Sequence, residues 1–229
     1  MIERAWLVLV GLSACGRIGF DAPGARDGDA QVDAGFGPWA PPVPLAELNL
    51  ALNQDDDPSM TGDLLEIVFD SDRAPSIGGD VFTSRRISAT MPFGSPTIVS
   101  NLASSADETS PDISADGLTL YLGSDRENPG DRDLFVATRA DRTLPWSTPT
   151  RVIELASPSH DSSAQETADG LAIYFATSRD GTSDLYFATR AARGQPWGTP
   201  MPVPGLSDPV ISESEHWIND DATVIYFTT

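Results

Sequence analysis

The chain contains no lysine. Its 14 basic residues are all arginine, against 34 Asp and Glu, for a formal net charge of -20 at pH 7. So acidic a surface repels phosphate backbones and anionic headgroups, which argues against nucleic acid as a partner and against direct adsorption to lipid. Cysteine occurs once, at Cys15, so no internal disulfide forms and stability has to come from packing. There are two histidines, His160 and His216, and neither belongs to an H-x-x-x-H or Cys-His spacing, so no metal site is expected. A G-x-S-x-G elbow and a phosphate-cradling glycine loop are also missing. From these absences we expect no cofactor and no catalysis. No apolar run reaches the roughly 18–20 residues that a membrane-crossing helix needs.

What is there begins with a sorting signal. Arg4 is followed by a short apolar run at 5–12 and then by small residues, the layout of a secretory signal peptide over 1–14. The stretch Leu12-Ser13-Ala14-Cys15 resembles the bacterial lipobox. That resemblance implies cleavage before Cys15 and a diacylglycerol on its thiol, anchoring the protein at roughly 0.8 kcal/mol per buried methylene. Gly16 follows the cysteine where inner-membrane retention would use Asp, which by the same resemblance implies the outer membrane. Residues 15–38, rich in Gly, Ala, Asp and Pro and without periodicity, read as a flexible tether.

The remainder, 39–229, is repetitive. An arginine closes an apolar strand at Arg73, Arg126 and Arg179, 53 and 53 residues apart. An aspartate opens the next strand at Asp80, Asp133 and Asp184, at intervals of 53 and 51. An aromatic precedes a proline at Phe93, Trp146 and Trp197, again at 53 and 51. Trp39 lies 54 residues before Phe93, and Tyr226 lies 52 after Tyr174. Each unit holds several short strands joined by polar turns such as Asp180-Gly181, and no helical pattern. The central strands are nearly continuous apolar runs, the mark of burial on both faces. Four-stranded units of this size sandwiched between neighbours are the blades of a β-propeller.

The same residues resemble a known repeat. "SPDISADGLTLYLGSDR" with "DLFVATR", and "ADGLAIYFATSRDGTSDLYFATR", are similar to the WD-like propeller repeat of the TolB type over about residues 55–229. The first unit, "TGDLLEIVFDSDR", lacks the turn glycine. The resemblance implies a bacterial envelope propeller used for docking, without chemistry of its own. The expected fold class is therefore all-β, with propeller repeats forming about three and a half four-stranded blades of an incomplete ring. The expected divisions are a closing strand at 39–52, blades at 53–105, 106–158 and 159–208, and a partial blade at 209–229. An exposed blade face would forfeit roughly 9–18 kcal/mol of burial, against a net stability of about 5–15 kcal/mol. This suggests either a truncated product of a longer gene, with five or six blades in the intact protein, or an open or oligomer-completed arc.

Three sets of residues invite a functional reading. Arg126 with Asp133, and Arg179 with Asp184, flank one hairpin each and suggest ion pairs bracing its turn. Phe93, Trp146 and Trp197 suggest packing between blades, or a stacking surface for sugars. Asp55, Glu108, Asp161 and Glu213, spaced 53, 53 and 52, occupy one equivalent position per blade. They suggest either solvated loops or an acidic ring at the channel mouth, binding a cation or a basic peptide. The reading that results is a non-catalytic, lipid-anchored outer-membrane protein whose propeller is a scaffold for an envelope protein partner. A glycan-binding propeller is the alternative, and a hydrolase or lyase the third.

Overall fold

The structure, a computed structural model, describes residues 15–19, 41–76, 78–206, 211–219 and 222–229. Among them every regular element is a strand. The chain opens with β1 (Cys15–Gly19). Then β2 (Asp55–Met60), β3 (Glu66–Ser71), β4 (Asp80–Arg85) and β5 (Thr97–Ile98) pair in sequence as a first antiparallel sheet. The pattern repeats in β6 (Glu108–Ile113), β7 (Thr119–Ser124), β8 (Asp133–Thr138) and β9 (Thr150–Arg151). It repeats again in β10 (Asp161–Glu166), β11 (Ala172–Thr177), β12 (Asp184–Thr189) and β13 (Met201–Pro202). A fourth sheet forms from β14 (Ser214–Ile218) and β15 (Val224–Thr228), with β1 added along β15 in the order β1-β15-β14. This is the expected propeller arc of about three and a half blades.

The central strands are apolar on both sides because both sides are covered. Val68 of β3 packs with Leu120 and Leu122 of β7 in the core between the first two sheets, while Ile67 and Phe69 face the other way. Tyr121 of β7 joins Ile173 and Phe175 of β11 between the second and third sheets. Tyr174 of β11 packs against the layer that holds Ile225 and Phe227 of β15. Each fully buried side chain of this size contributes about 1.5–3 kcal/mol, so the sheets hold one another face to face.

Two boundaries differ from the sequence expectation. Residues 41–52 form turns, not a closing strand. Pro41, Pro42 and Pro44 bring no N–H donors, and Leu45 and Leu48 instead cover the outer face of the first sheet beside Phe69 and Phe82. The strand that joins the last sheet from the front of the chain is β1, whose Cys15 lies opposite Thr228. It falls inside the segment expected to be tether. The signal peptide at 1–14, the rest of the tether and Trp39 lie outside the described residues.

The innermost strand of every sheet carries the same irregularity. Register shifts fall between Asp56 and Ser59, Thr109 and Asp112, Ser162 and Gln165, and Ser214 and Trp217. Inside each shift one non-glycine residue takes a positive φ: Asp57 at 48°, Ser110 at 49°, Ser163 at 52° and Glu215 at 38°. Left-handed backbone costs such residues about 1–2 kcal/mol each. Its recurrence in all four sheets means that the stacked blades impose this β-bulge.

Candidate functional site

The acidic column is not an exposed ring. Asp55, Glu108, Asp161 and Glu213 are 4%, 0%, 0% and 3% exposed. Each of the first three is enclosed by one repeated brace. A backbone N–H of the incoming connection donates to the carboxylate: Leu50 to Asp55 at 2.9 Å, Ser104 to Glu108 at 2.9 Å, Ser157 to Asp161 at 2.8 Å. The strand-closing arginines Arg73, Arg126 and Arg179 then fold back onto the same carboxylates, with Arg126–Glu108 at 3.0 Å and Arg179–Asp161 at 3.2 Å. The same guanidinium groups donate to the carbonyls of Leu48, Leu102 and Leu155 at 2.6–2.7 Å. They lie over Phe69, Phe135 and Phe175 at 5.0–5.3 Å. Asp55, Glu108 and Asp161 are therefore neutralised inside the scaffold, and Glu213 is buried, which removes the four as an exposed cation ring.

The expected hairpin ion pairs change partner for the same reason. Arg126 and Arg179 are engaged with the innermost strand. Asp133 is bound by Arg151 at 2.6 Å, and Asp184 accepts from the Thr182 hydroxyl at 3.1 Å. Asp80 has no arginine at the register of Arg151 and faces Glu108 across the first interface. Burial first, and the shared hydrogen bond with Glu108 second, push its carboxyl up to about 6.

Phe93, Trp146 and Trp197 do pack within the scaffold, at 5%, 5% and 7% exposed. Each is covered by an arginine, Arg86, Arg139 or Arg190, at 4.0–4.3 Å from the ring. The Nε of each of these arginines donates to a turn carbonyl, of Leu64, Gly117 or Gly170, at 2.6–2.7 Å. Buried under arginine, these rings offer no stacking face to a sugar.

The residues left facing the axis sit at the bulges, two positions after the acidic column. The hydroxyl of Ser110 donates to Asp57 at 2.8 Å, and its N–H donates to Asp70 at 3.1 Å. Asp70 lies opposite Asp56 in the β2–β3 register. Burial, then the charge of Asp57 and that of Asp56, push the Asp70 carboxyl up to about 8. Asp56 is raised by burial and by Asp57. Glu215, from the fourth sheet, is raised by burial and then by Asp57 and Asp56 of the first. Carboxylates of the first sheet thus act on one of the last. This cluster was missed in the sequence, although the run Asp55-Asp56-Asp57 and the 53, 53, 52 spacing of residues 57, 110, 163 and 215 were there to mark it.

Among the described residues no group of three or more His, Cys, Asp or Glu has the arrangement to hold a metal ion. His216 is half-buried with both ring nitrogens enclosed, and that enclosure holds its imidazole down at about 4. His160 accepts from the Arg132 N–H at 3.3 Å on the surface.

No protein-family model matches the chain, and no curated protein matches it. Solved structures do. TolB from Acinetobacter baumannii aligns with a TM-score of 0.52 at 14% identity, over 79% of this chain and 38% of that one. Zg3597, a family 117 glycoside hydrolase from Zobellia galactanivorans, aligns with a TM-score of 0.51 at 13% identity, over 72% of this chain and 59% of that one. A putative TolB from Agrobacterium tumefaciens aligns with a TM-score of 0.49 at 13% identity, over 82% and 62%. The chain spans between 38% and 62% of the length of these structures. At such identities the likeness is one of fold, and in fold the chain is a β-propeller similar to TolB.

Proposed function

We propose that this propeller is a non-catalytic binding module of the bacterial envelope whose axial cluster receives a positively charged segment of a partner protein. The observation that carries the reading is the grouping of Asp56 opposite Asp70 with Ser110 bonded to both Asp70 and Asp57, where neighbouring carboxylates, after burial, raise Asp56, Asp70 and Glu215. Carboxylates in this state are stabilised by an incoming cation, and the four come from elements the scaffold already fixes. A peptide cation suits the site better than a metal ion, because the groups are spread over two sheets and do not converge on one point. Lipidation of Cys15 belongs to the same proposal. β1 starts at Cys15 itself, so a lipid there would leave the protein at the fourth sheet, not at the end of a tether.

The test follows from protonation. Near pH 7 Asp70 holds a proton that a bound cation would expel. Titration calorimetry with an arginine- and lysine-rich peptide, in two buffers of different ionisation enthalpy, should show proton release and a steep loss of affinity with salt. Asp57→Asn together with Asp70→Asn should abolish both effects, and unchanged heats would refute the reading. A glycan alternative rests on Trp217, 53% exposed and 5.9 Å from the Tyr226 ring. Glycan binding that is lost in Trp217→Ala would favour it, and turnover of an ester or glycoside would overturn the non-catalytic reading.

A further inference from the structure

The innermost strands carry a second repeated contact. β2, β6, β10 and β14 are edge strands, and an edge leaves N–H and C=O groups without a ladder partner. One side chain per blade supplies a partner to the blade that follows. Ser59, Asp112 and Gln165 hold the same register, opposite Val68, Tyr121 and Tyr174 of the adjacent strand. Each accepts an N–H from the next innermost strand: Ser59 from Ile113 at 3.1 Å, Asp112 from Glu166, and Gln165 from Ile218 at 2.7 Å. The three donors are equivalent in turn, opposite Leu120, Ile173 and Ile225.

Gln165 completes the contact with the other half of its amide, whose Nε2 donates to the Ile218 carbonyl at 3.2 Å. Two bonds therefore tie the third blade to the fourth. Asp112 places a carboxyl where that amide would stand. An ionised carboxylate only accepts, so it suits the Glu166 N–H and not the Glu166 carbonyl. A protonated one offers an acceptor oxygen and an O–H, the same two functions as the amide. The Ser59 hydroxyl also donates to Asp112 Oδ1 at 2.8 Å, so this one side chain links the first three blades.

The charges around Asp112 favour the protonated form. From β10, the carboxylate of Glu166 faces it, paired with Arg190 at 2.9 Å and 3.9 Å from Arg193. From β7, Tyr121 donates its hydroxyl to Glu166 at 2.7 Å and is kept neutral by burial. The other strands packed on β6 turn their charges elsewhere. On β2, Asp55 is held by Arg73 and Asp57 by Ser110. On β3, Glu66 is held by Arg139 and by Arg85 of β4, and Asp70 by the Ser110 N–H. Asp80 of β4 faces Glu108. Burial, against the pull of the Ser59 hydroxyl, and then the charge of Glu166 push the Asp112 carboxyl up to about 7.

We infer that a proton on Asp112 clamps the second blade to the third, its O–H bonding the Glu166 carbonyl as the Gln165 amide bonds that of Ile218. Loss of the proton removes this bond and sets two carboxylates against each other, so the inner edge of the arc loosens at this junction. The junction closed by Gln165 has no such proton to lose. Because the folded value lies above the ordinary 3.8, the clamp is closed in weak acid and opens as pH rises through about 7. The device stands independently of the axial reading.

Native-state hydrogen exchange on the full chain reads the two junctions side by side. From pH 6 to pH 8.5 the protection factor of the Glu166 amide should fall about tenfold, the worth of one hydrogen bond, while that of Ile218 stays level. Asp112→Asn puts an amide of the same shape in place of the acid and should hold Glu166 level as well. Asp70→Asn removes the axial proton and should leave the fall intact. A carbon-13 titration of the Asp112 carboxyl needs no variant and should give a midpoint near 7. Protection of Glu166 that is level in the wild type, that falls in step with Ile218, or that falls equally in Asp112→Asn would overturn the clamp. So would a midpoint below about 5. A fall abolished by Asp70→Asn would assign the effect to the axial cluster and overturn the clamp too.

Discussion

Replacing Asp70 with asparagine should stabilise the protein at neutral and alkaline pH while weakening its axial site. The folded carboxyl titrates at about 8, against an ordinary 3.8. Between those values the folded protein keeps a proton that the unfolded chain has lost, so unfolding free energy falls as pH rises. At 1.36 kcal/mol per unit the full difference is ~6 kcal/mol. Part of that is returned as the ionised group draws in water and its neighbours move, so an observable gain of about 2 kcal/mol is the realistic scale. Asparagine matches aspartate in shape, and its carbonyl can still accept from Ser110. In urea or thermal unfolding followed by tryptophan fluorescence, D70N should match wild type near pH 4.5. It should exceed wild type by about 2 kcal/mol near pH 8.5, a rise of about 4–8 °C in Tm for a domain of this size. Carboxylates elsewhere titrate alike in both proteins and cancel in the difference. A difference curve flat from pH 4.5 to 8.5 would show that Asp70 is not held in a repelling environment. Retained affinity for a basic peptide in D70N would separate the stability effect from function.

Other expectations are simpler. Leu64 takes φ of 61° where Gly117 and Gly170 stand in the next blades, so Leu64→Gly should gain about 0.5–1 kcal/mol in chemical denaturation. Arg126→Met leaves Glu108 buried without its guanidinium and should cost about 3–5 kcal/mol. Arg85→Met removes a guanidinium that is 48% exposed from a Glu66 still held by Arg139, and should cost under about 1 kcal/mol; equal losses would contradict the geometry. Glu66 is pushed up by burial, but hydrogen bonds from Arg139 and Arg85 outweigh this and hold it below 4.5. Its contribution is therefore present above pH 4.5 and lost as pH falls through its folded value, and the stability curves of wild type and Glu66→Gln should converge in acid.

The architecture was legible because blade stacking writes itself into composition: both faces of β7 and β11 must be apolar, and the hairpins between them need polar turns. Trp146 and Trp197 pack between blades as expected for the same reason, while Phe93 packs on the outer face of the first sheet with Leu45 and Leu48. The partners of Arg126 and Arg179 were misread because proximity along a hairpin is a poor guide to proximity across a sheet. Ser124 pairs with both Glu108 and Asp133 in register, and Arg126 turns toward the first. Asp55, Glu108 and Asp161 do open β2, β6 and β10, but their burial was not legible, since that of Glu108 depends on a guanidinium arriving 18 residues later in the chain. The bulges lack glycine, the usual sign of positive φ, so only the spacing of residues 57, 110, 163 and 215 marks them in the sequence. The turns 41–52 were taken for a strand through the alignment of Trp39 with Phe93, which proline at 41, 42 and 44 outweighs.

The bulge has a practical consequence for redesign. Arginine, carboxylate and aromatic brace each of the first three blades from registers that never coincide with residues 57, 110 and 163, nor with 215 in the fourth sheet. Residues 163 and 215 can therefore be rewritten without disturbing those braces, whereas Asp57 and Ser110 are joined to each other across the first interface and would be exchanged as a pair, so new specificities can be installed along this row in steps.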